Sequence, residues 1–113
     1  MIRRGDIWWA NIPPPKGSEP GHRRPVLIVQ TDQFNESAIH TVIAAAFTSN
    51  LRRASAPGNV LCRKHETGLR ADSVVNVSQL AALDKAWLTS RVSTLSPPLM
   101  AEVEQGLRRV LGL

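Results

Sequence analysis

Three consecutive prolines, Pro13-Pro14-Pro15, stand between two of the most strand-like runs of the chain. Proline fixes φ and has no N–H to donate, so neither a helix nor a central strand runs through them. Lys16-Gly17-Ser18-Glu19-Pro20-Gly21-His22 follows, rich in turn formers. Residues 13–22 are therefore a long exposed loop, and long loops in compact domains are usually functional. Before them, residues 7–12 (I-W-W-A-N-I) are aromatic and β-branched, as a strand requires. After them, residues 25–30 (P-V-L-I-V-Q) form a continuous apolar run suited to a buried strand.

More short strands follow. Residues 41–47 (T-V-I-A-A-A-F) fit a third buried strand, although the alanines also admit a helix. Residues 32–37 read as a turn or one helical turn, and 48–57 as a polar, basic loop. Further strands are expected at 59–62, at 73–77 after the turn-forming Thr67-Gly68, at 80–83 and at 91–95. Then the pattern changes. Ser96 before Pro97-Pro98 is a helix start, since serine caps open N–H groups and proline is tolerated in the first turn. Leu99, Val103, Leu107, Val110 and Leu111 recur at helical spacing, with Arg108 and Arg109 in the last turn, where cations suit the dipole. The expectation is a mainly β single domain over residues 1–113, a small, strongly curved sheet or barrel with a C-terminal helix docked on it. Trp8 and Trp9 alternate across their strand, so one is expected in the core and one outside, at an interface or stacked on a base. Trp87 is expected in the core.

Fourteen Lys and Arg against nine Asp and Glu give a net charge of +5, and eleven of the fourteen cations are Arg. The planar guanidinium fork matches phosphate geometry, so a polyanionic partner is the first expectation. The lone Cys62 excludes an intramolecular disulfide and a multi-cysteine zinc site, and is expected to be inert. His22, His40 and His65 are isolated, and Glu102 and Glu104 read as a solvated helix surface. Phosphate-binding glycine loops and the serine-hydrolase elbow are missing. No apolar run approaches a membrane span and the first residues lack the apolar stretch of a signal peptide, so a soluble, cytoplasmic protein without a membrane partner is expected.

Chemistry concentrates where the loop runs into the second strand, at Gly17-Ser18-Glu19-Pro20-Gly21-His22-Arg23-Arg24-Pro25. Pro25 forces Arg24 into extended geometry, fixing a guanidinium at the root of a core strand, as a phosphate clamp requires. The plainer alternative has Arg23 and Arg24 as surface charges, or Arg24 paired with Glu19. Thr48-Ser49 stands at the end of the third strand, and its hydroxyls suit either a site or a turn cap. Arg52-Arg53 is a candidate phosphate contact or a solvated turn. Arg70-Ala71-Asp72 suggests a local ion pair.

The pieces Arg4-Gly5-Asp6-Ile7-Trp8-Trp9, Gly17-Ser18-Glu19, Arg24-Pro25-Val26-Leu27-Ile28-Val29-Gln30, Phe47-Thr48-Ser49, Asp72-Ser73-Val74-Val75 and Ser78-Gln79-Leu80 occur in order over nearly the whole chain. Together they resemble the MazF/PemK/Kid family of ribonuclease toxins. Pro20 departs from the pattern, where family members often carry Gln. The doubled arginine is a smaller departure, with Arg24 the one in register. The resemblance implies an SH3-like β-barrel with a C-terminal helix, the CcdB/MazF-like fold, working as a homodimer. It implies a type II toxin that cleaves single-stranded RNA with no metal or other cofactor, leaving a 2′,3′-cyclic phosphate and a 5′-OH, and so blocks translation and growth. The antitoxin partner is expected to carry an acidic, partly disordered tail. Arg24 and Thr48 match the family's catalytic pair. Arginine is an awkward base, so Glu19 or His22 is the expected proton carrier. Gly17, Ser18, Ser49, Arg52, Arg70, Asp72, Ser73 and Gln79 are the expected RNA contacts. The rival readings are a CcdB-like gyrase poison on the same fold and a non-catalytic RNA-binding barrel. Arg24 before Pro25 and Thr48 at a strand end favour cleavage over both.

Overall fold

The computed structural model describes residues 1–14 and 22–113. On either side of the proline segment, β1 (Asp6–Ile12) and β2 (His22–Ile28) pair antiparallel, with Ile7 opposite Leu27 and Ile12 opposite His22. β3 (Thr41–Thr48), β4 (Val60–Cys62), β5 (Ser73–Asp84) and β6 (Leu88–Thr94) complete a six-stranded antiparallel sheet in the order β4-β5-β3-β2-β1-β6. The sheet curls into a half-barrel, aided by register shifts of β1 against β6 and of β3 against β5. Two short helices, α1 (Asp32–Asn35) and α2 (Lys64–Thr67), lie between strands, and α3 (Pro97–Leu111) ends the chain.

Alternation along the strands loads both faces of the sheet with apolar side chains. Ile7, Leu27, Ala45, Phe47, Val75 and Val77 point to one face, where Leu99 and Val103 of α3 cover them. Val26, Ile28, Val42, Ala44 and Leu83 point to the other, closed by Trp87, Leu88 and Ile12. Burying one such side chain contributes about 1.5–3 kcal/mol, so Leu99 and Val103 anchor α3. The helix starts as its sequence dictates, with Ser96 Oγ accepting from the Leu99 N–H and Pro97 in the first turn. It also approaches the chain closely at Gly106, where an added methyl would stand 2.1 Å from the Gly58 carbonyl oxygen.

Several expected boundaries shift. The two strands expected at 73–77 and 80–83 are one, β5, because the polar Ser78-Gln79 interrupts the apolar run but not the extended backbone. β2 begins at His22, since His22 and Arg23 pair with Ile12 and Asn11, and ends before Val29. β6 starts at Leu88 and ends at Thr94. The 48–57 loop contains a 3-10 turn, Leu51–Ser55. Gly68, at φ 80°, terminates α2 rather than a simple turn. Val110 and Leu111 do not join the core: they are 43% and 56% exposed, because the last turn of α3 runs past the sheet. Neither Trp8 nor Trp9 is fully in or out. Trp9 packs against the α3-side core and Trp8 against the other, each half-buried. Trp87 is likewise half-buried at the edge of its cluster.

Candidate nucleic-acid interface

The β2–β3 ladder ends at the pair Val26–Ala46. Two residues further on, the same register sets Arg24 opposite Thr48, on strands that no longer pair. A groove of about 710 Å³ opens there, and Arg24, Thr48, Ser49, Arg70 and Ser73 all line it. A smaller hollow of about 380 Å³ lies beyond, lined by Arg24, Thr48, Arg53, Asn76, Ser78 and Gln79. Arg24 and Thr48 thus stand on the wall between two cavities. No Asp or Glu appears among the described lining residues of either, while Arg23, Arg24, Arg70 and Arg53 do, so the field favours an anion.

The hydrogen bonds settle the polarity of the hydroxyls. Thr48 Oγ1 accepts from the Asn50 N–H at 3.2 Å, which leaves its hydroxyl hydrogen available to donate. Ser73, almost fully buried, donates to the Ala71 carbonyl at 3.1 Å and presents lone pairs instead. Asn59 ties the basic 3-10 turn to β5, donating to the Arg53 carbonyl and accepting from the Val77 N–H, both at 2.9 Å.

Other expected site residues are placed differently. Gly17, Ser18 and Glu19 lie outside the described residues, as does any Arg24–Glu19 pair. His22 is exposed at the start of β2, on the same strand face as Arg24. Arg52 is exposed on its turn, and it is Arg53 that reaches a cavity. The local pair expected between Arg70 and Asp72 does not form. Asp72 instead accepts from Arg63 Nη1 at 3.1 Å and from the Lys64 N–H at 2.8 Å, because α2 folds back over it. The Lys64 N–H and the Arg63 guanidinium hold its carboxyl below the usual carboxylate range. Glu104 is also engaged, with Arg108 at 3.3 Å and Arg4 at 3.9 Å, rather than simply solvated. Burial pushes the Cys62 thiol up to about 12, in keeping with an inert side chain.

Sequence reading offered Arg52-Arg53 as a pair, of which Arg53 reaches the cavity, and missed Asn76 and Ser78. The period-2 alternation Val75-Asn76-Val77-Ser78, polar residues on one face and valines in the core, is the signal that marks the last two. Among the described residues no three His, Cys, Asp or Glu cluster as metal ligands, and no helix is long and apolar enough to cross a membrane.

The chain matches the family model described as PemK-like, MazF-like toxin of type II toxin–antitoxin system over residues 3–111. It is 50% identical over 113 residues to Endoribonuclease MazF6 of Mycobacterium tuberculosis, covering 100% of this chain and 99% of that protein. It has the same identity and coverage with Endoribonuclease MazF2 of Mycobacterium bovis. Among solved structures, a MazE–MazF complex from Deinococcus radiodurans superimposes with a TM-score of 0.82 at 26% identity, over 99% of this chain and 96% of that one.

Proposed function

The chain belongs to the PemK-like, MazF-like toxins of type II toxin–antitoxin systems and is an endoribonuclease toxin, and from this premise we propose that it cuts single-stranded RNA at the wall formed by Arg24 and Thr48, without a metal. One observation carries the reading: the open end of the β2–β3 ladder sets an exposed cation and a hydroxyl across from each other, between two basic hollows.

RNA supplies its own nucleophile. The 2′-oxygen attacks phosphorus, the P–O5′ bond breaks, and the products are a 2′,3′-cyclic phosphate and a 5′-OH. The protein has three tasks: to hold the strand, to stabilise the phosphorane, and to move one proton from the 2′-oxygen to the departing 5′-oxygen. Arg24 answers the growing negative charge and Thr48 donates a hydrogen bond to it. The guanidinium stays protonated, so His22 or Glu19 carries the proton. Gly17, Ser18, Ser49, Arg52, Arg70, Asp72, Ser73 and Gln79 are the proposed contacts to the strand, with Gln79 suited to a base edge. The toxin works in the cytoplasm as a two-fold homodimer, and the acidic, partly disordered tail of its antitoxin covers the same basic groove. A gyrase poison or a non-catalytic barrel gains no support from relatives that are endoribonucleases along their whole length.

The test is incubation of a long RNA with the protein in EDTA, followed by mapping of the ends. Cyclic-phosphate and 5′-OH ends at a recurring sequence are expected, with no cut where that position carries a 2′-deoxy sugar. Cleavage of the 2′-deoxy strand, or activity only with added magnesium, overturns the mechanism.

A further inference from the structure

The doubled arginine before Pro25 leaves one guanidinium without a task. Successive residues of a strand point to opposite faces, so Arg23 and Arg24 cannot share one. Arg24 turns toward Val26 and the hollow beside it. Arg23 turns toward β1, where its guanidinium carbon sits 4.1 Å from the centre of the Trp9 ring. The register explains the meeting: Trp9 lies opposite Pro25 and Asn11 opposite Arg23, so the two side chains are diagonal neighbours on the same face. Both line the 710 Å³ groove, on the strand that carries Arg24. Trp9 is half-buried against the core and cannot swing, whereas Arg23 is exposed. A tryptophan alone would offer its ring to a base. Here the ring carries a cation, and the pair forms one raised platform with a polarisable outer surface.

We propose that Arg23, seated on Trp9, is a specificity-determining residue that stacks on an unpaired base next to the phosphate held by Arg24. The proposal rests on the RNA-cleaving reading above and adds a base-binding position to it. Arginine planes and aromatic rings are what single-stranded bases stack on, and such contacts discriminate among bases by stacking strength and by the hydrogen bonds around them. Arg24 binds a phosphate, which every nucleotide has, so it confers no sequence choice. Arg23 meets the part of the nucleotide that differs.

The experiment uses short RNAs of one mapped cleavage sequence, each with a single abasic nucleotide at a successive position around the cut. Wild type, Arg23→Ala and Arg23→Lys are compared by kcat/KM. On intact RNA both variants should lose on the order of tenfold, since an ammonium keeps the charge but not the plane. Wild type should lose about as much at one abasic position flanking the cut, and there Arg23→Ala should lose nothing further. Binding of the uncleavable 2′-deoxy strands should repeat the pattern. An equal loss on every strand, or full rescue by lysine, shows a plain charge or a β1–β2 staple and overturns the proposal. A wild-type protein that cuts no RNA overturns the underlying function instead, so the two failures are told apart.

Discussion

Gly106→Ala separates what helix propensity expects from what this fold allows. Gly106 lies inside α3 (Pro97–Leu111), where glycine costs about 1 kcal/mol relative to alanine. On propensity alone the substitution should raise Tm by about 5 °C. The structure reverses the sign. The new Cβ would stand 2.1 Å from the carbonyl oxygen of Gly58, 2.9 Å from its carbonyl carbon and 3.2 Å from its Cα, where ordinary contact begins at 3.4 Å. These are backbone atoms, so no rotamer change relieves the clash. Nor can the Gly58 turn withdraw easily. It sits at φ +87°, and the adjoining Asn59 is tied to the Arg53 carbonyl and to the Val77 N–H. The helix must therefore retreat by more than an ångström, which opens the seam held by Leu99 and Val103. Overpacking of this kind costs about 3 kcal/mol at its upper end. Less the propensity gain, the net loss is about 2 kcal/mol, or a Tm roughly 10 °C lower. Thermal melts followed by circular dichroism at one fixed protein concentration give the answer. Gln105→Ala, at the exposed neighbouring position, serves as the control and should stay within about 0.5 kcal/mol. A Gly106→Ala protein as stable as wild type, or more so, would refute the close-contact argument.

Arg24→Ala should abolish RNA cleavage with the melt unchanged, and Thr48→Ala should lose on the order of a hundredfold in kcat, both read on a short RNA in EDTA. His22→Ala should lower the rate and remove one limb of the rate–pH profile if the imidazole moves the proton; an unchanged profile transfers that task to Glu19. The Asp32 carboxyl is held below its ordinary value of 3.8, chiefly by the Arg4 N–H at 2.7 Å and then by Asn35. Its stabilisation is therefore complete above that value and fades as pH falls through the lower folded value, so the Tm gap between wild type and Asp32→Asn should be widest near pH 7 and narrow as the pH is taken below 3.8. Light scattering should give a dimer at micromolar concentration, and a monomer there would count against the proposed assembly.

The sequence spoke clearly where one local rule acted alone. Ser96-Pro97 set the start of α3, and the apolar runs marked β1, β2 and β3, because capping is local and an apolar run signals a buried strand whichever element covers it. It was silent where partners come from afar. Gly106 looks like a weak helix residue until Gly58 is placed against it. Asp72 looks like a partner for Arg70, two residues away, until α2 brings Arg63 nearer. The candidate site divides the same way. Arg24 and Thr48 were legible from strand ends and from resemblance, whereas the choice of Arg53 over Arg52 depends on how a 3-10 turn is tied down by Asn59.

The grooves around Arg24 are built from two kinds of material. The central post is strand backbone, fixed in register by the ladders on both sides of β2. The outer walls come from connecting segments: residues 68–71 along the large groove, and residues 53–59 along the smaller one. Strand register admits little change, since a one-residue slip would turn a core face outward. Connections tolerate insertion and exchange far more readily. A lineage of such enzymes can therefore keep its reaction and rewrite its vocabulary. On the proposed reading, exchanges in the walls would join Arg23 in setting which words of RNA are accepted, while Arg24 and Thr48 keep the place of the cut.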